Sequence, residues 1–139
     1  MNLVEQSNEF FKNYLRCFKS SLSAYNLTQS QALCLLTIPF DGISQTNLSK
    51  KLALDMSTLS RNLNHLLKNG LILKNKSQED VRIFIVQLTP KGESLYKQLN
   101  SDINNNFKKI YSHLDLKEIH SIINVLKKIN WQFDLEYNG

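Results

Sequence analysis

Two short amphipathic segments joined by only three residues constrain this chain most. Residues 45–52 and 56–69 repeat their apolar side chains at helical spacing, with Ala53-Leu54-Asp55 between them. That is the spacing of a helix-turn-helix. Ser44 stands where the first helix needs an N-cap, Asp55 where the second does, and Gly70 suits the residue after its end.

Past Gly70 the hydrophobic period changes. Residues 71–76 and 81–88 are short runs rich in Leu, Ile, Val and Phe, joined by Ser77-Gln78-Glu79-Asp80. Such a pattern predicts a β-hairpin. Thr89-Pro90 then opens another helix, with Thr as cap and Pro at the first position. Its stripe of Leu95, Leu99, Ile103, Phe107 and Ile110 extends over 91–112, and Asn104-Asn105-Asn106 predicts a kink or weak spot within it.

The flanks also read as helices. Phe11, Tyr14, Leu15, Phe18, Leu22 and Tyr25 mark a first helix over 9–25, and Thr28 caps a second over 29–38, which Pro39 to Gly42 ends. Asp115 with Glu118 resembles a capping box before a last helix bearing Ile119, Ile122, Ile123, Leu126, Ile129 and Phe133 on one face. The expected fold is mainly α with a small β-hairpin wing. It is expected to be a single domain over 1–139, with residues 1–26 and 93–139 as dimerisation helices and 27–92 as a winged helix-turn-helix lobe.

Charge adds a location. Residues 1–43 and 93–139 are each net neutral, whereas 44–92 carry eight cations against three acids and so hold the whole net charge of +5. A basic middle on a neutral scaffold points to a polyanion partner. Within 56–69, a rotation of about 100° per residue sets Met56, Leu59, Leu63, Leu66 and Leu67 in one arc. Ser57, Arg61, Asn64, His65 and Lys68 fall opposite, with Thr58 and Asn62 on one flank. Donors and cations on an outer face suit the DNA major groove. Arg61 matches guanine O6 and N7, Asn62 or Asn64 matches adenine, and Ser57 and Thr58 suit phosphates or bases near the helix start. On the hairpin, Lys74, Lys76 and Arg82 flank the tip, and Asp80 is close enough to orient Arg82.

These segments resemble the MarR (multiple antibiotic resistance regulator) family. The resemblance is carried by Leu27-Thr28, Gln31 and Leu35, then Ser44-Gln45, Leu48-Ser49 and Leu52, then Ser57-Thr58-Leu59-Ser60-Arg61. It continues through Leu66, Gly70-Leu71-Ile72, Asp80-Val81-Arg82 and Leu88-Thr89-Pro90-Lys91-Gly92. It implies a triangular homodimer with interlocked first and last helices and two recognition helices in successive major grooves of a pseudo-palindrome. It implies Arg82 in the minor groove, held by Asp80, and repression relieved by a phenolic or lipophilic small molecule or by cysteine oxidation. Asn47 replaces the family's usual acidic residue, Ser49 its usual Ala, and the first helix is short.

Other chemistries fit less well. No Gly-rich phosphate loop, GxSxG or paired carboxylates in a plausible cleft are present, so an enzyme is not expected. His65, His113 and His120 form no tight ligand cluster, and neither metal nor cofactor is expected. Cys17, between Arg16 and Lys19, is the candidate redox residue, against the preferred reading of a passive thiol in a dimer core. The aromatic residues Phe10, Phe11, Tyr14, Phe18, Tyr25, Trp131, Phe133 and Tyr137 read as dimer core first and as an effector pocket second. Without a signal peptide or a membrane-length apolar run, a soluble cytoplasmic protein is expected. The expected function is a DNA-binding transcriptional regulator; the alternative is a winged-helix protein-interaction module that does not bind DNA.

Overall fold

A computed structural model describes residues 1–138. The element order is α1 (Leu3–Ser21), α2 (Gln29–Thr37), β1 (Ile43–Ser44), α3 (Gln45–Leu52), α4 (Met56–Lys68), β2 (Ile72–Lys76), β3 (Phe84–Leu88), α5 (Pro90–Tyr111) and α6 (Leu116–Tyr137). The contacts divide the chain into two compact units, residues 1–103 and the residues from Asn104 onward.

Local chemistry sets the boundaries in the first unit. The Thr28 hydroxyl accepts from Gln31 N–H while the Gln31 side chain accepts from Thr28 N–H, so two of the donors left free at the start of α2 are paired. Ser44 caps α3 by accepting from Asn47 N–H, and Asp55 caps α4 by accepting from Thr58 N–H. At the far end of α4, Leu71 N–H donates to Leu66 C=O and Gly70 N–H to Leu67 C=O. This double closure needs a left-handed residue, which Gly70 supplies at φ 71°. The Lys91 ammonium adds a bond to the Asn69 carbonyl, a cation at the negative end of the α4 dipole.

Packing then joins these elements. Ala32, Cys34, Leu35, Leu48, Leu59, Leu63, Leu66, Ile72, Val86 and Leu99 are buried, and Phe18 and Leu22 from the end of α1 are buried too. Each buried Leu or Ile stabilises the fold by about 1.5–3 kcal/mol. The sheet has the order β1-β3-β2, all antiparallel. Ile72 opposite Leu88 and Lys74 opposite Val86 turn the hairpin's inner face to the helices at its base and leave the tip free. Tyr25, just past α1, donates its hydroxyl to the Asp102 carboxylate on α5. Burial first, and that bond second, push the Tyr25 phenol up to about 12.

In the second unit, Asp115 and Glu118 form the reciprocal cap expected of them and start α6. Ile122, Ile123, Leu126, Ile129 and Phe133 are all exposed along α6.

Several expectations are corrected. The first helix starts at Leu3, not residue 9, because Asn2 and Glu5 make a capping box there. β1 was not expected; two residues are too few to show a period, and their strand character comes from pairing with β3. Residues 81–83 belong to the hairpin's connection rather than to its second strand, which starts at Phe84. The helix α5 runs unbroken through Asn104-Asn105-Asn106, although the division between the two units falls at that run. Helix propensity is a difference of a few tenths of a kcal/mol per residue, too small to break a helix by itself.

Candidate nucleic-acid interface

The N-terminus of α4 is organised by one carboxylate. Asp55 Oδ1 accepts from the Ser57 hydroxyl at 2.7 Å and from Thr58 N–H at 2.8 Å, and Oδ2 accepts from the Thr58 hydroxyl at 3.0 Å. The Arg61 guanidinium in turn donates to the Thr58 hydroxyl at 3.3 Å. The hydrogen bond from Ser57, then those from Thr58, hold the Asp55 carboxyl down at about 2, with the Arg61 charge adding to them. Asp55, Ser57 and Arg61 are exposed and Thr58 is half-buried. Two hydroxyls thus stand oriented at the start of the helix, with the more mobile Arg61 guanidinium beside them.

Two residues expected on that face are elsewhere. Asn62 is buried: its amide donates to Ser30 Oγ at 2.7 Å and to Cys34 Sγ at 3.6 Å, both on α2. One residue after Arg61 the helix has already turned by about 100°, which carries position 62 onto α2. A base contact by Asn62 is therefore withdrawn, while Asn64 is exposed. His65 is half-buried, with Nε2 3.3 Å from the Asn26 carbonyl, so it turns toward the connection between α1 and α2 rather than outward. Met56 departs the other way: expected inward, it is 47% exposed, because the first residue of α4 precedes the part of the helix that packs.

The hairpin carries the second cluster. Arg82 donates from Nε to Asp80 Oδ1 at 3.1 Å, from Nη2 to Oδ2 at 3.0 Å and from its backbone N–H to Oδ1 at 3.0 Å. The pairing is bidentate, which fixes the plane of the guanidinium as well as its position. These bonds hold the Asp80 carboxyl below its ordinary value and raise Arg82 further. The Arg82 side chain is nevertheless 86% exposed, so its remaining donors are free to meet a partner. Lys74 lies over the Phe84 ring at 4.7 Å, a diagonal cross-strand pair, and Lys76 is exposed at the end of β2.

Sequence reasoning identified the Asp80–Arg82 pair and missed what Asp55 does beyond capping. The signal was present: an Asp cap followed by Ser and Thr at the second and third helical positions, with Arg three residues after Thr. It also missed Gln45, which is buried against Ser60 by an Nε2 to Oγ bond of 3.2 Å and leaves Oε1 unpaired.

Among the described residues, no group of three or more His, Cys, Asp or Glu is placed to hold a metal ion, and no helix is long and apolar enough to cross a membrane. Cys17 is half-buried and Cys34 buried. Burial pushes the Cys34 thiol up, against the lowering effect of the Asn62 bond. An apolar groove of about 420 Å³ lies along α1 and α2, lined by Phe10, Phe11, Tyr14, Phe18, Gln29 and Leu33 among others.

Comparison with known proteins places this geometry. The family model of the transcriptional regulators SarA/Rot matches residues 16–99, more than half of the chain. The organic hydroperoxide resistance transcriptional regulator of Bacillus subtilis is 32% identical over 102 residues, covering 73% of this chain and 66% of that one. The matches span 63% and 66% of the lengths of the first two curated relatives. A cysteine-to-serine mutant of MarR from E. coli superposes with a TM-score of 0.81 at 23% identity, covering 93% of this chain and 96% of that chain. The same mutant complexed with operator DNA gives 0.76 at 23% identity, covering 91% and 92%. The helix-turn-helix, the three-stranded wing and the flanking helices share the winged-helix fold of the MarR structures, and the matching family model makes the chain a member of the SarA/Rot family of transcriptional regulators.

Proposed function

We propose that this regulator binds a pseudo-palindromic DNA operator as a homodimer, represses by occupying it, and is released by a small aromatic or lipophilic molecule or by a redox signal. The observation that carries the reading is Arg82. A guanidinium that is 86% exposed yet locked in plane by Asp80 is costly in conformational entropy unless it meets a partner. A narrow, electronegative minor groove is the partner that rewards such a group.

In this reading α4 enters the major groove with Arg61 as base reader, and Ser57 and Thr58 contact phosphates or bases at the helix start. Asn64 and Lys68 are exposed on the same helix and extend that surface. The wing follows with Arg82 in the minor groove and Lys74 and Lys76 toward the backbone. His65 stays at the edge of this surface as a packing residue. The MarR mutant solved with operator DNA shares the fold and supports this docking.

The homodimer is supported by the exposed apolar stripes of α1 and α6, each of which needs a partner in water. The groove along α1 and α2 supports an apolar effector, and Cys17 stands as the redox alternative.

A salt titration tests the core of the reading. The protein is titrated against a duplex selected from a random-sequence pool, at several salt concentrations. A dimer neutralising roughly 8 phosphates gives a log–log slope near about −7. Absence of binding at low salt would overturn the reading and leave a winged-helix protein-interaction module.

A further inference from the structure

We infer that Asn62 is a positioning residue for DNA readout: its bond to Ser30 sets the rotation of the recognition helix about its own axis. The inference rests on the DNA-binding reading and goes beyond it, because it gives α2, which carries no base reader, control over which sequence α4 prefers.

Among the described residues, the other buried side chains of α2 and α4 are apolar or the Cys34 thiol. Leu59, Leu63 and Leu66 of α4 are buried, as are Ala32 and Leu35 of α2. Apolar burial is non-directional, so leucines hold the helix down without defining its rotation sharply. Asn62 is the buried polar side chain of α4, 8% exposed, and its amide makes a directional bond of 2.7 Å to Ser30 Oγ. The second amide hydrogen meets Cys34 Sγ at 3.6 Å, one turn further along α2. Two donors from one planar amide to two successive turns of the neighbouring helix fix both height and rotation.

Arg61 is the adjacent residue on α4, so the rotation that Asn62 sets is the rotation of Arg61. A helix with its side chains has a radius of about 5–6 Å, so a 10° turn moves an outer atom by about 1 Å. That displacement takes a bidentate contact out of hydrogen-bonding range. Phosphate contacts through long, flexible Lys side chains tolerate the same shift. Loss of the Asn62–Ser30 bond therefore lowers discrimination between sequences more than it lowers general affinity. An amide in this apolar contact is not needed for stability, since burial of a polar group is offset by its bonds and an apolar group of similar size packs equally well.

The test compares Asn62→Leu, Ser30→Ala and the double variant with the unchanged protein. Three quantities are measured for each: thermal unfolding midpoint, affinity for a duplex the unchanged protein selects from a random pool, and affinity for scrambled duplex. The expected result is an unfolding midpoint equal to or above that of the unchanged protein for Asn62→Leu. Its selected-to-scrambled ratio falls by about tenfold, the order of one lost base contact. Ser30→Ala lowers the ratio in the same direction, and the double variant is no worse than the more affected single variant, as for two members of one bond. Should Asn62→Leu fail to fold, Ser30→Ala, which removes only a hydroxyl, decides. An unchanged ratio in the folded variants, or additive losses in the double variant, overturns the inference while leaving DNA binding in place. No preference by the unchanged protein for any duplex overturns the DNA-binding reading and this inference with it.

Discussion

Arg61 and Arg82 carry the same group in two different settings. Arg82 is held bidentately by Asp80 and its plane is fixed, whereas Arg61 makes one 3.3 Å bond to Thr58 and keeps most of its freedom. A pre-oriented guanidinium loses less entropy on contact, so Arg82→Ala is expected to weaken DNA binding, most at sites with A·T-rich flanks. Equal affinity of the variant and the unchanged protein on such sites would remove the wing from the mechanism. Asp55 gives a prediction in pH. Its folded value, about 2, lies below the ordinary 3.8, so the unfolded chain takes up its proton first as the solution is acidified. The stabilisation is complete above about 4 and is lost as pH falls toward about 2. Thermal unfolding of Asp55→Asn should show a shallower loss across that window than the unchanged protein; identical slopes would count against the Asp55 network. At this scale the sequence revealed the Asp80–Arg82 pair because both partners are two residues apart. Asn62 was misassigned because its partners, Ser30 and Cys34, are about thirty residues away and no local pattern announces them.

Elements followed local chemistry wherever a cap or breaker sat beside a periodic run. The starts of α2, α3, α4 and α6 fall at the residues that Thr28, Ser44, Asp55 and Asp115 indicate, because a side-chain acceptor next to free N–H groups is a local interaction. β1 and the shortened β3 were not legible, since pairing across the sheet decides them. Two tight points within elements are open to mutation. Ala53, in the turn of the helix-turn-helix, has φ 52°, where a Cβ costs roughly 1–2 kcal/mol. After the greater chain entropy of glycine is subtracted, Ala53→Gly should stabilise by about 0.5–1 kcal/mol, read as a raised urea midpoint. A lowered midpoint would mean that Ala53 packs more than it strains. Gly92 is the opposite case. A Cβ there would lie 1.9 Å from the Leu71 carbonyl oxygen, and Thr89 ties the same loop by accepting from Gly92 N–H and donating to Gly70 C=O. Backbone on both sides leaves little room to yield, so Gly92→Ala should cost about 2 kcal/mol or more. An unchanged urea midpoint would show that α5 shifts freely against the wing.

For the whole molecule, the main question is what covers its apolar faces. Among the described residues of α6, Ile122, Ile123, Leu126, Ile129, Trp131 and Phe133 are all exposed, and Phe10 and Phe11 of α1 are exposed as well. Exposure on this scale is expected to drive self-association. Removal of residues 115–139 should therefore convert a dimer into a monomer in sedimentation, and a stable dimer without them would refute the interlocked-helix arrangement. By itself the sequence determined the order of helices, the caps that start all but the first of them, the hairpin wing and the stretch that holds the excess positive charge. Each of those depends on residues within a turn or two of one another. Tertiary structure alone decided that Asn62 serves α2 rather than a base, that His65 turns toward Asn26, and that Ile43 and Ser44 form a strand. Those outcomes are set by which residues distant in the chain become neighbours, and hydrophobic periodicity specifies the buried face of a helix without naming the group that will meet it.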